Sequence, residues 1–385
     1  MSDDGLYRMT PLEVAVGWVL GDSDPVPEQP GPTVSPRDAL ETVIREALER
    51  SPCGVSFSGG RDSSTILAVA MHVARRDGLP EPIPITHRFA HAEGAGEDEW
   101  QELVIDHLGV TEWVRPTFTD ELDVLGPYAT AMLRDHGLVW APLAYVDTAA
   151  VEIVPGGSLI GGEGGDEVVG HGWHRMGPVA TFLRRPWPPV RWRVQPVIGA
   201  LAPRFARLEF ARRRMIEDMP VWLRGEAVEA QLDLERTLVD VPLHFGDSVR
   251  SAAGLPSVRI AERTQTILAE DHDVVSTSPL LDDRVIDALA KHGGRMGKGN
   301  RADVLRAMVG DLLPEAVISR TSKAEFTEAY TSERTRAFAR AWDGSGVDSE
   351  LVDPELLRDE WLSDAPSSGT DCLLQAAWLA NQDLL

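Results

Sequence analysis

At 385 residues and 43% hydrophobic content, the chain is long enough for one large domain or two smaller ones with a sizeable core. Asp and Glu outnumber Lys and Arg 61 to 37, and the formal charge of −24 argues against a general nucleic-acid binder, which carries a basic footprint. Two cysteines, Cys53 and Cys372, exclude a disulfide framework or a cysteine metal cluster and point to a reducing cytosol; no 18-residue apolar run or secretory signal pattern is present.

In chain order, residues 7–20 hold a short apolar stretch expected to pack on the main domain, and 21–36 read as a Pro/Gly/Asp linker. Ser35-Pro36 is an N-cap followed by proline at the first helical position, and Leu40, Val43, Ile44, Ala47 and Leu48 follow at helical spacing. Strands and helices then alternate: strand 54–58, helix 62–76, strand 83–89, helix 97–108, strand 112–117, helices 121–136 and 144–153, strand 157–161. This predicts an α/β fold with a doubly wound parallel sheet. Beyond about residue 175 helical periodicity dominates, with helices at 282–292, 302–313 and 371–383 and an acidic, loop-rich stretch at 343–370. The organisation read from this is an extension and linker at 1–34, an α/β core at 35–175, a helical part completing the active site at 176–340, and a terminal region at 341–385.

Two loops carry the chemistry. Ser58-Gly59-Gly60-Arg61-Asp62-Ser63-Ser64 runs from a strand into a helix. Paired glycines permit close backbone approach, and a helix N-terminus with serine hydroxyls makes a phosphate cradle. Asp62 places a carboxylate where Mg²⁺ on a polyphosphate would sit. No Gly-Lys-Ser/Thr follows, so the loop is not a Walker A. The second loop, Gly161-Gly162-Glu163-Gly164-Gly165-Asp166-Glu167, follows the apolar strand Ser158-Leu159-Ile160 and suits metal and acid/base work better than a core or a helix. Both loops sit at strand ends, where ligands of such sheets bind.

The first loop resembles the pyrophosphate loop of the ATP-pyrophosphatases, and the pair resembles the synthetase domain of the asparagine synthetases, whose relatives include β-lactam synthetase and the lasso-peptide cyclases. The resemblance covers roughly residues 35–335 and implies an adenine-nucleotide α-hydrolase-like sheet. It further implies an ATP-dependent, AMP-forming C–N ligase using ATP and Mg²⁺: a substrate carboxylate is adenylated and then coupled to an amine. On the matching positions, Asp62 and Asp166 would hold Mg²⁺, and Glu163 would serve as the acid/base. Lys323, in Leu313-Pro314…Arg320…Lys323…Phe326, would offset transition-state charge; Lys291 and Lys298 are the other two lysines of the chain. ATP is expected against Ser58, Gly59, Gly60, Asp62, Ser63, Ser64 and Gly162, with adenine near Val55, Phe57 and the backbone at Arg88. Relatives often carry a lysine where Ala302 stands, so Arg301 or Lys298 is the candidate for a pyrophosphate contact.

The glutaminase domain of asparagine synthetases, with its cysteine after the initiator Met, has no counterpart: Ser2 stands there and about fifty residues precede the loop. Amide formation in natural-product biosynthesis, including macrolactam closure, fits that pattern; a small-molecule amide synthase using free or partner-delivered ammonia is the alternative. A tRNA-modifying enzyme with the same loop needs a basic surface, and a non-catalytic relative would have lost Asp62, Asp166 or Lys323. In so acidic a chain, the arginines at 184–214 (Arg184, Arg185, Arg191, Arg193, Arg204, Arg207, Arg212, Arg213, Arg214) are either a solvated face paired with carboxylates or a dock for an acidic partner or carrier. His171 and His174, flanking Trp173, read as structural rather than ligating.

Overall fold

The structure is a computed structural model and describes residues 5–90, 97–170, 174–184, 191–322 and 327–382. A four-stranded, all-parallel sheet lies at its centre in the order β2-β1-β5-β6, formed by β1 (Cys53–Ser56), β2 (Ile83–Ile85), β5 (Ser158–Ile160) and β6 (Val275–Thr277). Val55 sits opposite Pro84 on one side and Ile160 on the other. Chain order reverses about β1, because β2 lies to one side and β5 to the other. Such a switch point opens a crevice beyond the carboxyl ends of the strands. The two glycine loops leave β1 and β5 there, side by side.

Helices cover the sheet because its central strands are apolar on both faces. Helix Pro36–Leu48, capped by the Ser35 hydroxyl on the Asp38 N–H, buries Leu40, Val43, Ile44 and Leu48 against helix Arg61–Asp77. The latter buries Ile66, Leu67, Val69, Ala70 and Val73 in the same core. The apolar stretch at 7–20 forms helix Pro11–Val16, with a Thr10/Glu13 capping box, and packs on the last helix, Asp371–Ala380. A second core there joins Leu6, Ala15 and Val16 to Trp342, Trp361 and Trp378.

Several boundaries differ from the periodicity. The expected strand 83–89 splits into β2 and β3 (Arg88–Phe89), and β3 pairs with β4 (Thr117–Phe118) in a separate ribbon. Helix 121–136 starts only at Pro127, because the Asp123 carboxylate binds the Leu125 N–H (2.8 Å) and holds a turn. Residues 144–153 are a 3₁₀ turn followed by one α turn. The acidic 343–370 stretch contains helix Pro354–Trp361, capped by Asp353. Among the described residues of the C-terminal half, the regular elements are helices, β6 and the isolated Leu223–Val352 bridge. No helix among the described residues is long and apolar enough to cross a membrane.

Candidate active site

The first loop is shaped by one glycine. Gly59 has φ 83°, and a Cβ there would lie 2.7 Å from Gln101 Cγ. Gln101 in turn donates from Nε2 to the Ser58 carbonyl (3.0 Å). The Ser58 and Ser63 hydroxyls are 3.1 Å apart, and the Gly60 N–H donates to Ser58 Oγ (3.3 Å). No side chain caps helix Arg61–Asp77. Its first-turn donors and positive dipole end are therefore directed to the crevice, as an anion site requires.

The second loop lies against the first. A Cβ on Gly165 would fall 2.2 Å from Asp62 Cγ, and one on Gly162 would fall 3.2 Å from the Ser63 nitrogen. Glu163 folds back so that its Oε2 would lie 1.8 Å from a Cβ on Gly161. These glycines are what let the loops touch. Arg301, at the start of helix Arg301–Val309, hydrogen-bonds to both Asp62 and Asp166. Burial pushes the Asp62 carboxyl up, against the pull of the Arg301 charge. Burial also works against Arg301, but Asp62 and Asp166 together hold its pKa above the ordinary value, so it stays charged.

Glu163 has a partner that no sequence motif marks. Asp147, in the 3₁₀ turn Ala144–Asp147, lines the same cavity. Its carboxylate accepts from Gln265 Nε2 (3.1 Å) and Ser56 Oγ (3.5 Å), and the Ser278 hydroxyl donates to Glu163 at 3.4 Å. Burial, then the Glu163 charge, push Asp147 up to about 7; burial raises Glu163 as well. The Glu163 charge thus disfavours a second negative charge on Asp147.

The cavity measures about 400 Å³ and is lined by Phe57, Ser58, Gly60, Asp62, Ser63, Gly162, Glu163 and Asp166, all expected from the sequence. Gly59 shapes the loop without lining it. Val55 and Ser64 are fully buried and do not line it either. Arg88 pairs with Asp98 (2.6 Å), and its neighbours His87 and Phe89 face the cavity instead. A strand alternates its faces, so a one-residue offset decides which side chains reach the ligand side. Burial lowers His87 to about 4. Lys298 lines a different cavity, together with Phe245 and Met308, whereas Arg301 lines this one. Lys323 lies outside the described residues. Just before it, Arg320 is buried in an ion pair with Glu97 and lies over the Trp100 ring at 4.7 Å.

His171 and Trp173 lie outside the described residues, while His174 is buried between Ser248 Oγ (2.9 Å) and the Val168 carbonyl (3.0 Å). Of the 184–214 arginines, Arg204 and Arg207 pair with Asp240, Arg213 with Glu209 and Arg214 with Asp218. Arg185 lies outside the described residues, and the side chains of Arg184, Arg191 and Arg193 are not described.

Among the described residues, no group of three or more His, Cys, Asp or Glu is placed to hold a metal. Two carboxylates suit Mg²⁺ nonetheless, since that ion keeps most of its shell from water and phosphate oxygens. Asp62 Oδ1 fits such an ion: it is buried and takes no hydrogen bond. No curated protein matches the chain. The family model described as asparagine synthase matches residues 36–380. That span takes in both glycine loops, Asp147, Arg301 and Arg320, and the chain belongs to the asparagine synthase family of ATP-dependent ligases.

Proposed function

We propose that the chain adenylates a substrate carboxylate with ATP and passes the acyl group to an amine. The observation that carries this is the meeting of Asp62 and Asp166, one from each loop, beside an uncapped helix N-terminus and the Glu163–Asp147 pair. A carboxylate oxygen attacks the α-phosphorus and pyrophosphate leaves with the bonding electrons. The amine nitrogen then attacks the acyl carbon, AMP leaves, and the proton lost from nitrogen goes to the Glu163 carboxylate. Asp62 and Asp166 would hold Mg²⁺, which neutralises charge on the leaving pyrophosphate. Arg61, Arg301 and Arg320 line the cavity and supply fixed positive charge for the phosphates. Lys323 is the proposed stabiliser of the acyl-transfer transition state.

The narrower reading is amide formation in natural-product biosynthesis such as macrolactam closure, the alternative being a small-molecule amide synthase fed with ammonia. Mg-ATP with candidate acids is expected to yield AMP and pyrophosphate, measured by pyrophosphate release; ADP and phosphate would end the reading. Lys323→Ala is expected to abolish turnover with ATP affinity nearly unchanged, since its charge acts in the transition state.

A further inference from the structure

A second cavity of about 300 Å³ opens on the other side of the 161–167 loop. Asp62, Glu163 and Asp166 border both cavities. The far wall is built by Trp18, Trp140 and helix Pro256–Glu270, which contributes Ala261 and Glu262. Trp18 precedes the family-matched span, so this wall includes chain that the family model does not describe. The two rings meet edge to face at 5.0 Å, and Trp140 is fixed by its Nε1 donating to the Ser257 carbonyl (2.7 Å).

The two cavities differ in charge. Among the described residues, three arginines line the first and no Lys or Arg lines the second, while Glu167 and Glu262 join the three shared carboxylates. The Asp62 oxygen without a hydrogen bond is sealed from solvent at this boundary. Burial raises Glu262 against the pull of the Arg259 charge, so this carboxyl gains from a further cation brought beside it. An anion such as a phosphate or a carboxylate is repelled here. Arg259 pairs with Glu262 (3.2 Å) and Arg301 with Asp62 and Asp166, so among the described residues Glu163 and Glu167 are the lining carboxylates that meet an incoming ligand without an arginine. A primary ammonium on an apolar stem satisfies both features: carboxylates for the charge, tryptophan faces for the stem and for cation–π contact.

We propose that this cavity seats the amine-bearing substrate, a primary ammonium on an apolar or aromatic stem, with its nitrogen toward Glu163. The assignment rests on the ligase reading and locates its acceptor. The ammonium gives one proton to Glu163; the neutral amine then attacks the acyl carbon at the loop's edge, the C–O bond to AMP breaks, and the second nitrogen proton leaves with the AMP phosphate.

The test uses the full chain labelled with ¹⁵N at its indole nitrogens, with phenethylammonium and 3-phenylpropionate as probes. The Trp18 and Trp140 indole signals, assigned through Trp18→Phe and Trp140→Phe, are expected to shift saturably with the ammonium and not with the carboxylate. Glu262→Gln is expected to weaken ammonium binding about fivefold, the range of one partly exposed charge pair. Ala261→Phe, which fills the cavity, is expected to abolish it while Mg-ATP binding stays intact. Equal response to both probes, or Glu262→Gln with unchanged ammonium affinity, overturns the assignment. Pyrophosphate release is scored separately, so failure of the acceptor site and failure of the ligase reading are told apart.

Discussion

Glu163 was legible in the sequence and Asp147 was not. Glu163 stands in a loop of four glycines and three carboxylates, a composition with few uses outside a site. Asp147 sits in Ala144-Tyr145-Val146-Asp147, which reads as ordinary helix, and only folding brings it to the cavity. Its charge bears directly on the proposed base. The Glu163 charge helps push Asp147 up to about 7, so Glu163 ionises first and Asp147 stays protonated below that pH. Above it a second negative charge appears beside the proposed base, and a step in the acyl-transfer rate is expected near pH 7. Asp147→Asn keeps this neighbour neutral at every pH. The step should then vanish while the rate below pH 7 changes little. A pH–rate profile of amide formation checks this; an unmoved step would show that Asp147 is not its source.

Among the elements, β1 and β5 were readable because each is an apolar run ending in glycines, and their adjacency follows from the crossover geometry of parallel sheets. The short β6 was missed: Val275–Thr277 offers three residues and no turn signal beyond Asp273, which takes φ 57°. The helix Asp98–Leu108 was visible in outline, but its connection to the site was not. Glu97 precedes that helix and holds Arg320, whose Nη1 also donates to the Gly59 carbonyl at 3.3 Å. One guanidinium thereby joins the phosphate loop, a helix start and the segment leading to Lys323. Both side chains are about 95% buried. Arg320→Ala would strand the Glu97 carboxylate in the interior, a loss of roughly 3–5 kcal/mol by chemical denaturation. Arg320→Lys is expected to recover little, since a point charge cannot grip both carboxylate oxygens and stack on Trp100. Near-native stability of the alanine variant would refute this account.

For the molecule as a whole, the charge of −24 is distributed unevenly: arginines stand at the nucleotide cavity, and carboxylates surround its neighbour across the loop. The two ends of the chain also meet. Helix Pro11–Val16 stops at Gly17, where a Cβ would lie 1.9 Å from the Gly369 carbonyl oxygen, and the apolar residues before and after it are shared with the last helix. Likeness to a family and independence in folding thus draw different borders. A chain trimmed to residues 36–380 keeps every motif yet loses Leu6, Val16 and Val19, each worth about 1.5–3 kcal/mol when buried. It is expected to melt well below the full chain in calorimetry and to expose Trp342, Trp361 and Trp378 to a fluorescence quencher. What resembles a dispensable leader in a linear alignment is, in three dimensions, the hem that closes the garment.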